Sequence, residues 1–188
     1  MSAISLIRPC TAQDAPLPVA GADEILLATE PGKARACNLA AARASGDILL
    51  FVDADTTIEG APLDWYRSRP AAEDFWVSPS RSVAFGLWGR AGNAFFNAAN
   101  RTPLLRRYPW AHGALIAVRA VTFREVGGFD EAAPMEDINL FARLWKSGYR
   151  HAKSPVRTVQ YRAISFPPRR MNVIRDGHSG GYLSPRMK

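Results

Sequence analysis

Several features are scarce in this chain of 188 residues, and each absence excludes a class of protein. Only two cysteines occur, Cys10 and Cys37, and they lie too far apart to form a CxxC zinc pair or to suggest a disulfide framework. The longest apolar runs, Ile48–Val52 and 114–118, are far too short to span a bilayer, and the N-terminus does not resemble a signal peptide. No internal repeat or low-complexity tract is visible, and the hydrophobic share of 47% excludes a disordered chain. We therefore expect one domain, residues 1–188, in the cytoplasm.

Acidic residues are almost absent from the last fifth of the chain. Residues 150–188 contain nine Lys and Arg and a single acid, Asp176, whereas residues 1–149 contain 15 basic and 16 acidic residues. The net charge of +7 therefore arises at the C-terminal end. This distribution disfavours a surface coated for nucleic acid, and we expect no nucleic-acid partner. A local anion site or a solvated basic tail is favoured instead.

The order of apolar runs and turn residues predicts an α/β fold. We predict strands at residues 5–7, Glu24–Ala28, Ile48–Val52, 75–78 and 114–118. We predict helices at residues 33–45, 62–67, 86–99, 120–126 and 138–146. The run Ile48–Val52 is uninterrupted and follows a helix, which is typical of a parallel strand buried on both faces. The segment from Arg157 onward has little periodicity, and we predict no element there.

Two carboxylates follow the run Ile48–Val52 directly, in the sequence Asp53-Ala54-Asp55. In an open α/β sheet, ligands bind beyond the carboxyl ends of the strands. If the chain stays extended here, both side chains point to one side and can share a divalent ion, Mg²⁺ or Mn²⁺, with water and phosphate oxygens. An ordinary turn explains the same residues equally well.

Two cations, Lys33 and Arg35, begin the helix predicted at residues 33–45, although a helix N-terminus favours anions. A phosphate held between these side chains and the free N–H groups would account for them. A solvated helix start is the alternative. Asn38 in the same helix is either a tether to a loop or a polar surface residue.

An acidic pair, Glu136-Asp137, precedes the helix predicted at residues 138–146. Such a pair is commonly a helix cap, but a carboxylate within reach of a substrate hydroxyl can also act as a general base. His112, before Gly113, is the most notable histidine, although a lone histidine is usually structural. We interpret the two cysteines as small buried hydrophobic residues.

Taken in order, these elements resemble the family-2 glycosyltransferases of the GT-A fold. The resemblance runs through PGKARACNLAAARASGDILLFVDADTTI and HGALIAVRAVTFREVGGFDEAAPMEDINLFARLWKSGYR, that is, residues 31–58 and 112–150. It implies a single domain with a Rossmann-like, mostly parallel sheet flanked by helices. It also implies transfer of a sugar from a nucleoside diphosphate donor to a small or lipid-linked acceptor, usually with inversion, by a metal-dependent enzyme.

The resemblance implies roles for individual residues. Asp55 would bind Mn²⁺ or Mg²⁺ on the donor diphosphate, and Asp53 would share the metal and lie near the nucleoside. Asp137 would deprotonate the acceptor hydroxyl, with Glu136 beside it. The other implied contacts are Pro9, Lys33, Arg35, Asn38, Arg169 and Arg170 for the donor, and Trp110, His112 and Gly113 for the acceptor.

The N-terminal part departs from the family. The family's Pro-x-x-Asn-Glu and Asp-Asp-Gly-Ser sequences are absent, and the chain reaches Asp53 early. We therefore divide the domain into a shortened nucleotide-binding half (1–58), an acceptor-side half (59–156) and a basic tail (157–188). The absence of Gln-x-x-Arg-Trp argues against polymerisation.

The shortened half leaves an alternative, a catalytically weak relative that binds a sugar nucleotide or a partner. A nucleotidyltransferase ranks third, because no Gly-rich phosphate loop lies near the N-terminus. The tail is either solvated or places Arg169 and Arg170 on the diphosphate or on a phosphorylated acceptor. A weaker expectation is peripheral contact with anionic lipid through the tail. The aromatic residues that would contribute to it, Trp88, Phe95 and Phe96, are more commonly core. The sequence leaves the oligomeric state open.

Overall fold

The computed structural model describes residues 1–10, 19–60, 62–84, 91 and 114–162. The strands are β1 (Ile4–Pro9), β2 (Glu24–Ala28), β3 (Ile48–Val52), β4 (Thr56–Gly60), β5 (Phe75–Val77), β6 (Ser80–Ala84), β7 (Leu115–Arg119), β8 (His151–Lys153) and β9 (Val156–Arg162). The helices are α1 (Lys33–Arg43), α2 (Asp64–Arg67), α3 (Ala120–Glu125) and α4 (Glu136–Lys146). No helix in these ranges is long and apolar enough to cross a bilayer.

Six strands form the main sheet, in the order β2-β1-β3-β7-β5-β8. Strand β7 is antiparallel to both of its neighbours, and the other five strands run in one direction. The predicted α/β fold with a mostly parallel sheet is therefore confirmed.

The core lies on both faces of this sheet, and β3 supplies side chains to each face. All five residues of β3 are buried. Leu49 and Phe51 pack with residues of α1, α3 and α4 on one face. Ile48, Leu50 and Val52 pack on the other face, in a cluster that contains Tyr66 and Trp76. This burial confirms the interpretation of Ile48–Val52 as a doubly covered strand.

A second sheet has the order β4-β9-β6, with β4 antiparallel and β6 parallel to β9. The prediction of no element from Arg157 onward is wrong, because residues 157–162 belong to β9. Thr158 and Gln160 occupy buried positions of this strand. Their polar side chains conceal the period-two pattern on which a sequence prediction depends. Strands β4, β6 and β8 were also not predicted.

Most other predicted elements differ from the structure only at their ends. Helix α1 stops at Arg43 because Ala44 is already extended, with φ −67° and ψ 132°. Helix α2 is shorter than the predicted 62–67, and α4 begins two residues before the predicted 138. The helix predicted at 86–99 falls outside the described residues except for Ala91.

Candidate functional site

One edge of the main sheet collects most of the predicted site residues. We call it the site edge: here β1 ends at Pro9, β3 is followed by Asp53, and β7 is preceded by Ala114. The backbone N–H of Asp53 donates to the carbonyl of Ala114 at 3.2 Å. The N–H of Thr56 then donates to the carbonyl of Asp53 at 3.1 Å, so the chain turns here. Of the two interpretations of this segment, extended chain or turn, the structure therefore shows the turn.

The two carboxylates nevertheless converge, because one buried amide bonds both. Nε2 of Gln160 donates to Oδ2 of Asp53 at 3.3 Å and to Oδ1 of Asp55 at 3.2 Å. The side chain of Gln160 reaches them because β9 places this residue opposite Thr56 in β4. The two carboxylate oxygens therefore lie no farther apart than the sum of these two bonds. Sequence reasoning missed Gln160, since no motif or periodicity marks it.

Lys33 joins this carboxylate pair to helix α4. Its Nζ lies 2.7 Å from Oδ1 of Asp53 and 3.0 Å from Oε1 of Glu136, and its side chain is 25% exposed. Burial acts to lower the pKa of Lys33, but Asp53 and Glu136 outweigh it, so the pKa lies well above its ordinary value. The predicted metal residue Asp53 and the predicted catalytic residue Glu136 thus meet at one ammonium group.

The acidic pair occupies the first turn of α4. Met135 is the N-cap and provides no side-chain bond, and Glu136 is committed to Lys33. Asp137 is half-buried, and its Oδ1 accepts the N–H of Ile138 at 2.8 Å. Asp137 thus contacts a free N–H of the first turn, as a capping residue does, while Glu136 points toward the carboxylates that follow β3.

The turn before α4 is held by a side-chain clamp. The Asn38 amide accepts the N–H of Phe129 at 2.8 Å and donates to its carbonyl at 2.9 Å. The guanidinium of Arg143 donates to the carbonyls of Val126 and Gly128. Gly128 has φ +70°, and a Cβ there would lie 2.7 Å from Oδ1 of Asn38. Of the two interpretations of Asn38, the structure therefore shows the tether.

A further cation, the buried Arg8, is close enough to Asp53 and Asp55 to interact with them electrostatically. Arg8 is 1% exposed, and one of its terminal nitrogens donates to the carbonyl of Thr56 at 3.0 Å. Burial lowers the pKa of Arg8, while the charges of Cys10, Asp53 and Asp55 act in the opposite direction. An arginine keeps its charge under these conditions. Sequence reasoning missed Arg8 because it stands inside a strand that is otherwise mostly apolar.

The structure places the other predicted residues as follows. Pro9 is half-buried at the site edge, and Arg35 is exposed on α1. Cys10 is half-buried, whereas Cys37 is 1% exposed, and burial raises the pKa of the Cys37 thiol to about 12. Trp110, His112, Gly113, Arg169 and Arg170, together with Trp88, Phe95 and Phe96, lie outside the described residues.

The oxygen chemistry of this edge fits a hard divalent cation. Asp53 and Asp55 offer carboxylate oxygens, the ligands that Mg²⁺ and Mn²⁺ prefer, and phosphate and water oxygens would complete the shell. The ammonium of Lys33 already holds a cation position between Asp53 and Glu136. Across the described residues, no cluster of three or more His, Cys, Asp or Glu has metal-binding geometry.

Comparison with protein-family models gives no match, and comparison with curated proteins finds no relative. Solved structures do share the fold. The mannosyltransferase PcManGT from Pyrobaculum calidifontis, in complex with GDP-Man and Mn²⁺, superposes with a TM-score of 0.59 at 18% identity, over 88% of this chain and 58% of that one. GalNAc-T7 with UDP, GalNAc and Mn²⁺ gives a TM-score of 0.53 at 13% identity, over 86% and 44%.

A third similar structure is the catalytic domain of Drosophila β1,4-galactosyltransferase 7 in complex with xylobiose. It gives a TM-score of 0.51 at 14% identity, over 82% of this chain and 65% of that one. This chain therefore spans less than two-thirds of the length of each of the three. At these identities the likeness concerns the fold, and the chain has the α/β fold of the GT-A glycosyltransferases, in one small domain.

Proposed function

We propose that this chain is a family-2-like glycosyltransferase that moves a sugar from a nucleoside diphosphate to an acceptor hydroxyl, with inversion at the anomeric carbon. The observation that carries the proposal is the double contact of Lys33 with Asp53 and Glu136, at 2.7 and 3.0 Å. It joins Asp53, which follows β3, to Glu136 at the start of α4. The GT-A fold supports the same function.

Within this proposal, Asp53 and Asp55 hold the donor end of the site. A divalent ion, when bound, offsets the charge that develops on the leaving diphosphate. Lys33 is near enough to contribute a further positive charge there. Arg35, with Arg169 and Arg170 of the tail, is proposed to contact the donor phosphates, and Pro9 lines the same end.

Asp137 is proposed to be the general base. The acceptor oxygen attacks the anomeric carbon, the bond from that carbon to the diphosphate oxygen breaks, and the hydroxyl proton passes to the Asp137 carboxylate. The clamp of Asn38 and Arg143 on the preceding turn fixes where α4 begins. Glu136 stays on Lys33, which leaves Asp137 as the carboxylate of the pair without a lysine contact in the described residues. The acceptor is a small or lipid-linked alcohol in this proposal, with Trp110, His112 and Gly113 beside it.

A panel of nucleoside diphosphate sugars with Mn²⁺, assayed for transfer and for donor hydrolysis, tests this function. We expect Asp137→Asn to lower kcat by about 10²–10⁴-fold, because a positioned base contributes that much. Asp64→Asn is the matched control, since Asp64 is an exposed carboxylate on α2. Turnover by Asp137→Asn at the wild-type rate would contradict the assignment of the base.

A second candidate is a sugar-nucleotide-binding or partner-binding protein with little catalysis. The observation in its favour is that the family's Pro-x-x-Asn-Glu and Asp-Asp-Gly-Ser sequences are missing from the part of the chain that carries β1 to β3. Calorimetry with the same panel separates the two functions. Binding of a donor without transfer or hydrolysis would favour this second function over the first.

A further inference from the structure

Both carboxylate oxygens of Asp53 are already engaged within the protein. Oδ1 lies 2.7 Å from the ammonium of Lys33, and Oδ2 accepts from the Gln160 amide at 3.3 Å. Asp53 is 7% exposed, so little water competes for these contacts. Each oxygen retains a further lone pair, so the obstacle to a divalent ion at Asp53 is the ammonium charge of Lys33 rather than a lack of acceptor sites. The ion pair is shorter than the amide contact, and it places a positive charge where the metal would be.

The charges around Asp53 are close to balance before any metal arrives. Asp53, Asp55 and Glu136 are opposed by the partly exposed Lys33 and the buried Arg8. A metal entering beside Lys33 would feel strong repulsion from the ammonium, because the effective dielectric constant near such sites is far below that of water. The ammonium of Lys33, which stabilises Asp53 and Glu136, therefore also opposes binding of the metal.

The position of Lys33 is unfavourable in isolation, which indicates that the carboxylates hold it there. It is the first residue of α1, it follows Gly32 with φ +87°, and no acidic residue is present in the first turn of α1. The positive end of the helix dipole repels a cation at this place. Without Asp53 and Glu136, the long side chain would be free to move to solvent or to a phosphate.

We propose that Lys33 is a resident counter-ion that competes with the divalent metal for Asp53, so that the metal binds directly only after Lys33 leaves. This inference rests on the metal site of the proposed function. A donor diphosphate offers Lys33 a second anionic partner, and its arrival frees Asp53. Without a donor, the metal therefore binds weakly. The donor and the metal bind cooperatively.

The test measures Mn²⁺ binding alone, without any sugar nucleotide, from the loss of the free-ion electron paramagnetic resonance signal. We expect Lys33→Met to tighten the dissociation constant for Mn²⁺ by at least about tenfold, because a nearby like charge is removed. Lys146→Met is the matched control, since Lys146 is exposed in the last turn of α4 and its replacement changes the net charge equally. It should leave Mn²⁺ binding unchanged.

A double variant locates the effect. Adding Asp53→Asn to Lys33→Met should abolish the gain, since Asp53 is the carboxylate that Lys33 releases. If Lys33→Met fails to fold, Lys33→Gln replaces it, because glutamine can still donate to both carboxylates. We expect a smaller tightening in the same direction for that variant.

Mn²⁺ binding by a folded Lys33 variant no tighter than the wild type would overturn the inference. So would a gain that persists in the Asp53→Asn double variant. These results are independent of transfer activity. Tightened Mn²⁺ binding without turnover of any donor would leave the inference standing and count against the proposed function. Metal-independent transfer, with no gain in Lys33→Met, would count against the inference alone.

Discussion

The two edges of the main sheet use charged side chains in opposite ways. The far edge, where β1 and β3 begin and β7 ends, borders a cavity of about 540 Å³ lined by Met1, Ser2, Ser45, Gly46, Asp47, Arg67, Arg119, Ala120, Val121 and Arg124. Arg119 donates there to the carbonyls of Glu73, Arg69 and Pro70. At the site edge, by contrast, Lys33 faces two carboxylates.

The difference is what each charge is bonded to. Arg67 at the far edge donates to the carbonyls of Ser2 and Gly21 and pairs with Asp23 and Asp64, whose side chains are 48% and 73% exposed. Such contacts satisfy backbone groups and tie loops together, and screening by water keeps their ion pairs weak. At the site edge, Lys33 pairs with Asp53 and Glu136, and these side chains are only 25%, 10% and 20% exposed, so water screens their ion pairs less. Charge density alone therefore does not mark a functional site.

The largest expected difference between the two edges is the effect on turnover of replacing one ion-paired carboxylate at each edge. Asp53→Asn is expected to lower kcat/KM for transfer by about 10²–10³-fold, because a preorganised charge at the leaving group is lost. Asp23→Asn removes one of the two acidic partners of Arg67 at the far edge and should leave turnover unchanged. Steady-state rates with the donor found in the panel provide the measurement. Equal losses in both variants would remove the functional distinction between the edges.

Alanine substitutions of two glycines, Gly46 and Gly128, compare the two edges by their effects on the free energy of unfolding. A Cβ on Gly46, at the far edge, would lie 2.6 Å from the backbone nitrogen of Ser5, so Gly46→Ala should lower the free energy of unfolding by about 1–3 kcal/mol. Turnover per folded molecule should not change, since the site edge is not involved. Gly128→Ala should lower both the free energy of unfolding and the turnover per folded molecule, because it disturbs the clamped turn before α4. Urea unfolding and rates at equal folded concentration test this, and a normal rate for Gly128→Ala would contradict it.

The smallest expected effect is a pH dependence from His151 at the far edge. Its ring stacks on Phe75 at 5.5 Å and contacts Trp145 at 5.3 Å. Burial, and then the charge of Lys153, lower the pKa of His151. The unfolded chain therefore takes up the proton first, and stability present above the ordinary pKa of 6.5 decreases as the pH falls through that value.

Urea unfolding at several pH values between 8 and 5 measures this dependence. His151→Gln should show a shallower loss of stability on acidification than the wild type. Identical slopes for the two proteins would exclude His151 as the titrating group.

The parts predicted well from the sequence are those with strong local patterns. Strand β3 was predicted from an uninterrupted apolar run, and helix α1 from an Ala-rich segment that Gly46-Asp47 closes. Helix α4 was predicted from apolar residues at helical spacing. Strand β9 was not, since Thr158 and Gln160 are buried polar residues. The tether role of Asn38 was only one of two interpretations, because its partner Phe129 lies 91 residues away.

The sequence by itself determined strands β1, β2, β3, β5 and β7, helices α1 to α4, and the place of Asp53 and Asp55 directly after a buried strand. Hydrophobic periodicity and turn residues act over a few neighbouring positions, so they can be recognised without a structure. Only the tertiary structure decided that Lys33, Glu136, Gln160 and Arg8 surround those acids. Electrostatic and hydrogen-bonding partners are chosen by distance across the fold, which sheet order and strand register set. That choice places Arg8 and Gln160, for which the sequence suggests no role, beside the predicted residues of the candidate site.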